Sequence, residues 1–133
     1  SRIVHSWVLA RSDRVGSWRL FTEALQSDVA DIQGGTTPEG IHLGAMAGVL
    51  DLLTRGYVGI EPRGNVLWFN PVLPEELARL RMQMRYRGHT LDLEVTSDRL
   101  TIITCRSAQR PIKIGFRKDI YDLEEGDSMG LEL

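Results

Sequence analysis

A single cysteine, Cys105, stands in a chain of 133 residues. An internal disulfide is therefore impossible, a thiol cluster for zinc is absent, and a reducing cytoplasm is the expected compartment. Long apolar runs are missing too. The longest, Ala45 to Leu53, is broken by Asp51 and falls far short of the ~18 residues of a membrane span. Nor is there an excess of charge of one sign: 16 Lys and Arg face 18 Asp and Glu, a net of −2. The balance holds on both sides of residue 60, with 5 basic and 6 acidic residues before it and 11 and 12 after. Nucleic acid and anionic membrane surfaces lose their main electrostatic foothold. Aromatics are few at 7%, but 42% hydrophobic and 26% charged residues are ordinary globular proportions, which excludes disorder, collagen and coiled coil. The length suits one core, or two small ones. The chain opens at Ser1 inside an apolar-periodic stretch, without initiator Met or cleavage-like segment, and reads as a piece of something longer.

The first half is written in helical spacing. Ile3, Val4, Trp7 and Val8 form one stripe; Val15, Trp18, Phe21 and Leu25 form a second behind a Ser12-Asp13 start signal. A polar, glycine-rich break from Asp31 to Pro38 leads to a third pattern: Ile41, Leu43, Ala45, Met46, Val49, Leu50, Leu52 and Leu53. Apolar nearly all round, that helix is expected to be buried. Gly40, Gly44 and Gly48 recur every four residues along it, each costing roughly 1 kcal/mol against alanine. Close approach by a neighbouring helix is the expected compensation.

Beyond Gly56 the period falls to two. Arginines at 79, 81, 85 and 87 alternate with Leu80, Met82, Met84 and Tyr86, as in a strand with one wet face. A two-residue loop at Gly88-His89 would set Tyr86 opposite Leu91, Arg85 opposite Asp92, Met84 opposite Leu93 and Met82 opposite Val95. A turn at Ser97-Asp98 sets Val95 opposite Leu100 and Leu93 opposite Ile102, and Ile112, Ile114 and Phe116 supply a further strand. The expectation is an α+β chain, helices followed by an antiparallel sheet, with the junction near residues 56–64.

Useful chemistry converges only on Gly34-Gly35-Thr36-Thr37-Pro38-Glu39-Gly40-Ile41-His42. Paired glycines permit a curved backbone whose amides point inward as an anion nest. Thr36 or Thr37 can cap the following helix, and Pro38 suits its first turn. That helix's positive end favours phosphate or sulfate, with threonine hydroxyls and His42 as further donors. Thr36-x-x-Glu39 is equally a plain capping box. His42, placed in the first turn, could be a core histidine held by one carbonyl. His5, beside Trp7, and His89, in the presumed hairpin turn, do not join it in a metal site. The arginine row faces Asp92 and Glu94 across the strand, so a solvated sheet face is the better reading than a polyanion stripe. Asp31, Glu39, Asp51 and Glu61 lack the paired context of acid/base work. Trp7, Trp18 and Trp68 read as core rather than as sugar platforms.

The run Gly35-Thr36-Thr37-Pro38-Glu39-Gly40-Ile41-His42-Leu43-Gly44-Ala45-Met46-Ala47-Gly48, followed by Asp51-Leu52-Leu53 and Gly59-Ile60-Glu61, resembles the C-terminal part of glycoside hydrolase family 65. The likeness continues through Leu67-Trp68-Phe69-Asn70-Pro71-Val72-Leu73-Pro74 and Tyr86-Arg87-Gly88-His89, covering about residues 1–104. The segment after Ser107, with Glu124-Glu125-Gly126-Asp127, carries none of it. That family contains inverting phosphorylases of trehalose, maltose, kojibiose and related disaccharides, and acid trehalases. The resemblance implies the last helices of an alpha/alpha-six barrel over residues 1–58 and a small antiparallel β-sheet or sandwich domain over 59–133. It implies inorganic phosphate as co-substrate, with no cofactor and no metal, attacking an anomeric carbon while a glutamic acid protonates the departing oxygen. By the same resemblance Gly35, Thr36, Thr37 and His42 become phosphate contacts, whereas the general acid lies upstream, so that no catalytic residue is expected in this chain. Its expected partners are a disaccharide, inorganic phosphate and the rest of the barrel. Uncovered helix faces would favour a homo-oligomer or marginal stability. Two other readings stay open: a family 65 hydrolase in which water replaces phosphate, and a non-catalytic carbohydrate-binding or interaction module built on the β-domain.

Overall fold

In the computed structural model, which describes residues 2–27, 29–30, 34, 40–105 and 109–133, Asp13 starts the second helix as its sequence predicts. Its carboxylate accepts a hydrogen bond from the Gly16 amide at 3.0 Å, satisfying one donor of the first turn. Helix α1 (Arg2–Leu9) buries Ile3 and Ser6, and α2 (Arg14–Leu25) buries Ser17, Phe21 and Ala24, spacings that keep each set on one face. Small serines let the two backbones approach. The Ser6 hydroxyl donates to the Ser17 carbonyl at 2.6 Å, and the Ser17 hydroxyl donates to the Ser6 carbonyl at 2.8 Å. With that proton committed, the Tyr57 hydroxyl is the donor in its 2.9 Å contact with Ser17 Oγ. Phe21 stacks on Trp18 at 5.3 Å and meets the edge of Tyr57 at 5.9 Å.

Helix α3 (Leu43–Asp51) continues into a π-helical segment, Leu52–Tyr57, which buries Leu52, Gly56 and Tyr57. Contrary to expectation, α3 is not covered all round within these residues. Val49 is its one buried residue, while Leu43 and Leu50 are exposed. Val4, Trp7, Val8 and Val15 are exposed on α1 and α2, so Trp7 is not a core residue of this chain; Trp18 is half-buried. The glycine row also divides. Only Gly48 meets a neighbouring helix, where a Cβ would fall 2.9 Å from the Ile3 side chain; Gly44 faces open space, and Gly40 precedes the helix.

Residues 58–133 form a compact unit of their own, as residues 1–57 do. Its strands are β1 (Glu61–Arg63), β2 (Val66–Phe69), β3 (Arg79–Tyr86), β4 (His89–Thr96), β5 (Arg99–Thr104), β6 (Ile112–Phe116), β7 (Asp119–Leu123) and β8 (Ser128–Glu132). They make two four-stranded sheets, ordered β1-β2-β6-β7 and β3-β4-β5-β8. Alternating residues turn inward from both: Leu67, Phe69, Ile114 and Phe116 from the first, Leu91, Leu93, Leu100 and Ile102 from the second, in one buried cluster. Of the sheet or sandwich that the family resemblance implies, the structure has the sandwich, though not a wholly antiparallel one: β2 pairs with β6 in parallel. Parallel pairing needs a long crossover, and β3, β4 and β5 supply it while building the opposite sheet.

The β3–β4 hairpin turns one residue earlier than expected. Arg87 and Gly88, at φ +48° and +83°, form the two-residue turn, and Tyr86 pairs with His89 rather than Leu91. Arg81 then faces Glu94, and Met84 faces Leu91. Because every partner moves by two residues, the apolar face survives the change. The Ser97-Asp98 turn matches expectation, with Leu93 opposite Ile102 and Val95 opposite Leu100. His89 lies not in a turn but fully buried in β4. Gly88→Ala is expected to cost about 1–2 kcal/mol, since alanine must adopt left-handed backbone. Tyr86→Phe should stabilise by about 1 kcal/mol, because the Tyr86 hydroxyl is buried without a hydrogen-bond partner among the described residues. Urea midpoints of the two variants, shifted in opposite directions, check both.

Candidate functional site

Two glycines bracket the segment that the sequence marks for anion binding. Gly34 at φ +75° and Gly40 at φ +106° adopt backbone that a side chain would strain. Gly35, Thr36 and Thr37 lie outside the described residues, as do Pro38, the capping-box Glu39 and Asp31. His42 is described. It occupies the N-cap of α3 rather than the first turn, at φ −78° and ψ 82°, and its side chain makes no capping bond. Its carbonyl accepts from the amides of Ala45 at 2.9 Å and Met46 at 3.1 Å. The half-buried imidazole thus stands at the positive end of α3 without being used to cap it.

The remaining histidines are placed elsewhere. His5 is exposed on α1, and His89 sits in the sandwich with ring Nε2 2.7 Å from the Arg110 carbonyl, so Nε2 carries the proton and donates. Among the described residues no group of three His, Cys, Asp or Glu gathers as a metal site, and no helix is long and apolar enough to cross a membrane. Two candidate carboxylates are engaged by arginines. Asp51 lies 3.5 Å from Arg55, one turn on, and Glu61 lies 2.6 Å from Arg63. The hydrogen bond to Glu61, reinforced by its charge, raises the Arg63 pKa. Trp68 is half-buried on the outer face of β2 rather than in the core, with the Arg63 guanidinium 5.6 Å over its ring. Sequence reasoning missed that aromatic–arginine cluster. The strand alternation that turns Leu67 and Phe69 inward was the signal available for it.

The model of the glycosyl hydrolase family 65 central catalytic domain matches residues 1–51, and that of the family 65 C-terminal domain matches residues 60–123. The chain belongs to glycoside hydrolase family 65. An uncharacterized glycosyl hydrolase of Mycobacterium tuberculosis is 42% identical over 129 residues, 97% of this chain and 10% of that protein. The trehalose 6-phosphate phosphorylase of Lactococcus lactis is 32% identical over 79 residues, 59% of this chain and 10% of the enzyme. A solved structure provisionally named kojibiose phosphorylase, from the human microbiome, superposes with a TM-score of 0.84 over 100% of this chain and 17% of its own, at 19% identity. The family 65 chain thus spans about a tenth of the length of these curated relatives.

On the family 65 β-unit the arginine row is compensated in part: Arg85 faces Thr90, and Arg87 donates to the Gly64 carbonyl from the turn. Arg79 and Arg81 both reach Glu94, and Gln83 donates to Asp92 at 2.7 Å. The hollow of about 480 Å³ on that sheet is lined by Arg81, Asp92, Glu94, Thr101 and Ile103, without an aromatic wall. The hydrogen bond from Arg81 is the main cause holding the Glu94 pKa below its usual value; desolvation opposes it, and the charges of Arg81 and Arg79 assist. A depressed carboxylate stabilises the fold above its unfolded pKa and loses that contribution as pH falls through the folded one. Arg81→Gln should therefore move the Glu94 titration upward, toward the ordinary glutamate range, in a carboxyl-detected NMR pH series. An unmoved titration would show that Arg81 is not the cause.

Proposed function

We propose that this chain is the C-terminal part of a family 65 disaccharide phosphorylase and contributes part of its phosphate site. The observation that carries the reading is His42 at the positive end of α3, directly after a threonine-bearing segment bracketed by two left-handed glycines. The trehalose 6-phosphate phosphorylase among the relatives supports it. Exposed Val4, Val8, Leu43 and Leu50 fit helices of an alpha/alpha-six barrel whose other members would cover them. In this reading residues 1–58 close the barrel, residues 59–133 are its β-domain, and the enzyme works in the cytoplasm on phosphate and a disaccharide.

Phosphate is then held by the Gly35 amide, the Thr36 and Thr37 hydroxyls and a His42 N–H. These donors orient it toward one face of the sugar. A phosphate oxygen forms a bond to the anomeric carbon as the glycosidic C–O bond breaks, and an upstream glutamic acid delivers its proton to the departing oxygen. The chain supplies position and electrostatics rather than the acid. A hydrolase is the second reading, favoured by the name of the Mycobacterium tuberculosis relative.

The full-length parent, incubated with trehalose, maltose and kojibiose with and without phosphate, is expected to release glucose 1-phosphate only when phosphate is present. Equal release of free sugars in both would establish the hydrolase instead. Thr36→Val, Thr37→Val and His42→Ala in the parent should each lower phosphorolysis by about a hundredfold, the scale of one lost transition-state donor. Unchanged turnover in all three would remove the loop from the site.

A further inference from the structure

The first sheet ends in a hollow of about 300 Å³ where two parallel strands part. Because β2 and β6 run the same way, their carboxyl ends leave the sheet together: β2 continues into Asn70-Pro71, and β6 turns back through Arg117-Lys118 into β7. The pleat sends Phe69 and Phe116 inward and Trp68 outward. The indole lies over Gly115, where any Cβ would collide with its ring. Two guanidiniums line the hollow, each over an aromatic ring: Arg63 at 5.6 Å from the Trp68 centroid and Arg117 at 5.1 Å from that of Phe116.

The two cations are not equivalent. Arg63 is matched by Glu61 at 2.6 Å, whereas exposed Arg117 has no ion pair among the described residues. Arg117 also holds φ at +56° in the two-residue turn between paired Phe116 and Asp119, a conformation that suits glycine. Strain of this kind persists where the surroundings impose it, and here it carries an uncompensated guanidinium to the rim of the hollow. The hollow, which Leu133 also lines, therefore combines a guanidinium outside any ion pair among the described residues, the fork geometry that matches phosphate, and an apolar wall from Trp68 and Pro71. Its size is that of the smallest ligand pockets, enough for one sugar ring and its anionic group.

We propose that this hollow binds an anionic monosaccharide of the hexose phosphate class, with Arg117 on the phosphate and the Trp68–Pro71 wall against the C–H groups of the ring. The inference is independent of the proposed phosphate loop.

The test is an NMR titration of the isotopically labelled 133-residue chain with glucose 6-phosphate, following the Trp68 indole N–H, with glucose and inorganic phosphate titrated in parallel. Glucose 6-phosphate is expected to shift that resonance with a dissociation constant of about 1 mM, and each fragment to bind at least about tenfold more weakly. Arg117→Gly relieves the left-handed backbone, so its amide spectrum should remain folded while affinity falls at least about tenfold. The Thr36→Val/Thr37→Val double variant should bind as the parent chain does, which separates this site from the loop. No Trp68 shift by about 10 mM ligand overturns the proposal. So does unchanged affinity in Arg117→Gly, or a fragment that binds as well as the whole sugar phosphate.

Discussion

The two sheets of residues 58–133 need each other. Leu67, Phe69, Ile112, Ile114 and Phe116 on one inner face, and Leu91, Leu93, Val95, Leu100 and Ile102 on the other, are withdrawn from water only by sharing one cluster. Strand alternation follows from that demand, since a slip of one residue would exchange every inward side chain for an outward one. The same demand leaves Trp68, Arg79, Arg81 and Arg85 outside, and so decides which residues of the sheets can meet a ligand at all. It also explains why β6, far from β2 in sequence, returns beside it. The sheet that holds β2 must be completed after the opposite sheet has been laid down, and a parallel neighbour is the result.

Residues 1–57 are held by a different balance. Their interior is narrow, and polar groups occupy part of it: Ser6, Ser17 and Tyr57 satisfy one another across α1, α2 and the π-helical segment. Buried hydroxyls are tolerated when every donor finds an acceptor, and in exchange the serines allow the helices to come close. Large apolar side chains meanwhile stay exposed, among them Val4, Val8, Val15, Leu43 and Leu50. Three short helices of this composition have more apolar surface than one another's faces can cover. In the proposed barrel, further helices would cover that surface.

What could be read beforehand followed periodicity and local chemistry. The helices at Ile3–Val8 and Val15–Leu25, the Asp13 cap, the strand at 79–86 and the Ser97-Asp98 turn all rest on interactions between near neighbours. The errors arose where partners are distant or where two mechanisms share a residue type. Arg87 at φ +48° takes a turn position usually given to asparagine or glycine, so Gly88-His89 looked like the better loop. Gly40 and Gly48 stood in one row in the sequence, yet one serves a backbone conformation before the helix and the other a close contact within it. Trp7 and Trp68 obeyed the rule that tryptophan is buried only in part, because side-chain size alone says nothing of which face a helix or strand turns to the core. Family membership was legible because it rests on a long ordered run of residues. Of the four proposed phosphate contacts only His42 falls within the described residues, and its displacement from the first turn to the N-cap depends on where α3 begins, a boundary that propensity fixes poorly.

The placement of His42 bears on what kind of phosphate site the loop can make. From Leu20 to Thr54 the chain contains no lysine or arginine, so an anion held by this segment meets no full positive charge from it. The donors of the proposed site are amides, threonine hydroxyls, one imidazole and the helix end behind them. Such donors hold a dianion less tightly than paired guanidiniums would, but they fix its direction, because each hydrogen bond has a preferred angle. For a nucleophile that must attack and then leave as part of the product, moderate affinity with firm orientation is the more useful combination. Gly34 and Gly40, on either side of the proposed contacts, hold positive-φ backbone that a side chain would strain. On this reading the threonines and His42 set the direction, and the chemistry of bond cleavage belongs to the part of the barrel that precedes them.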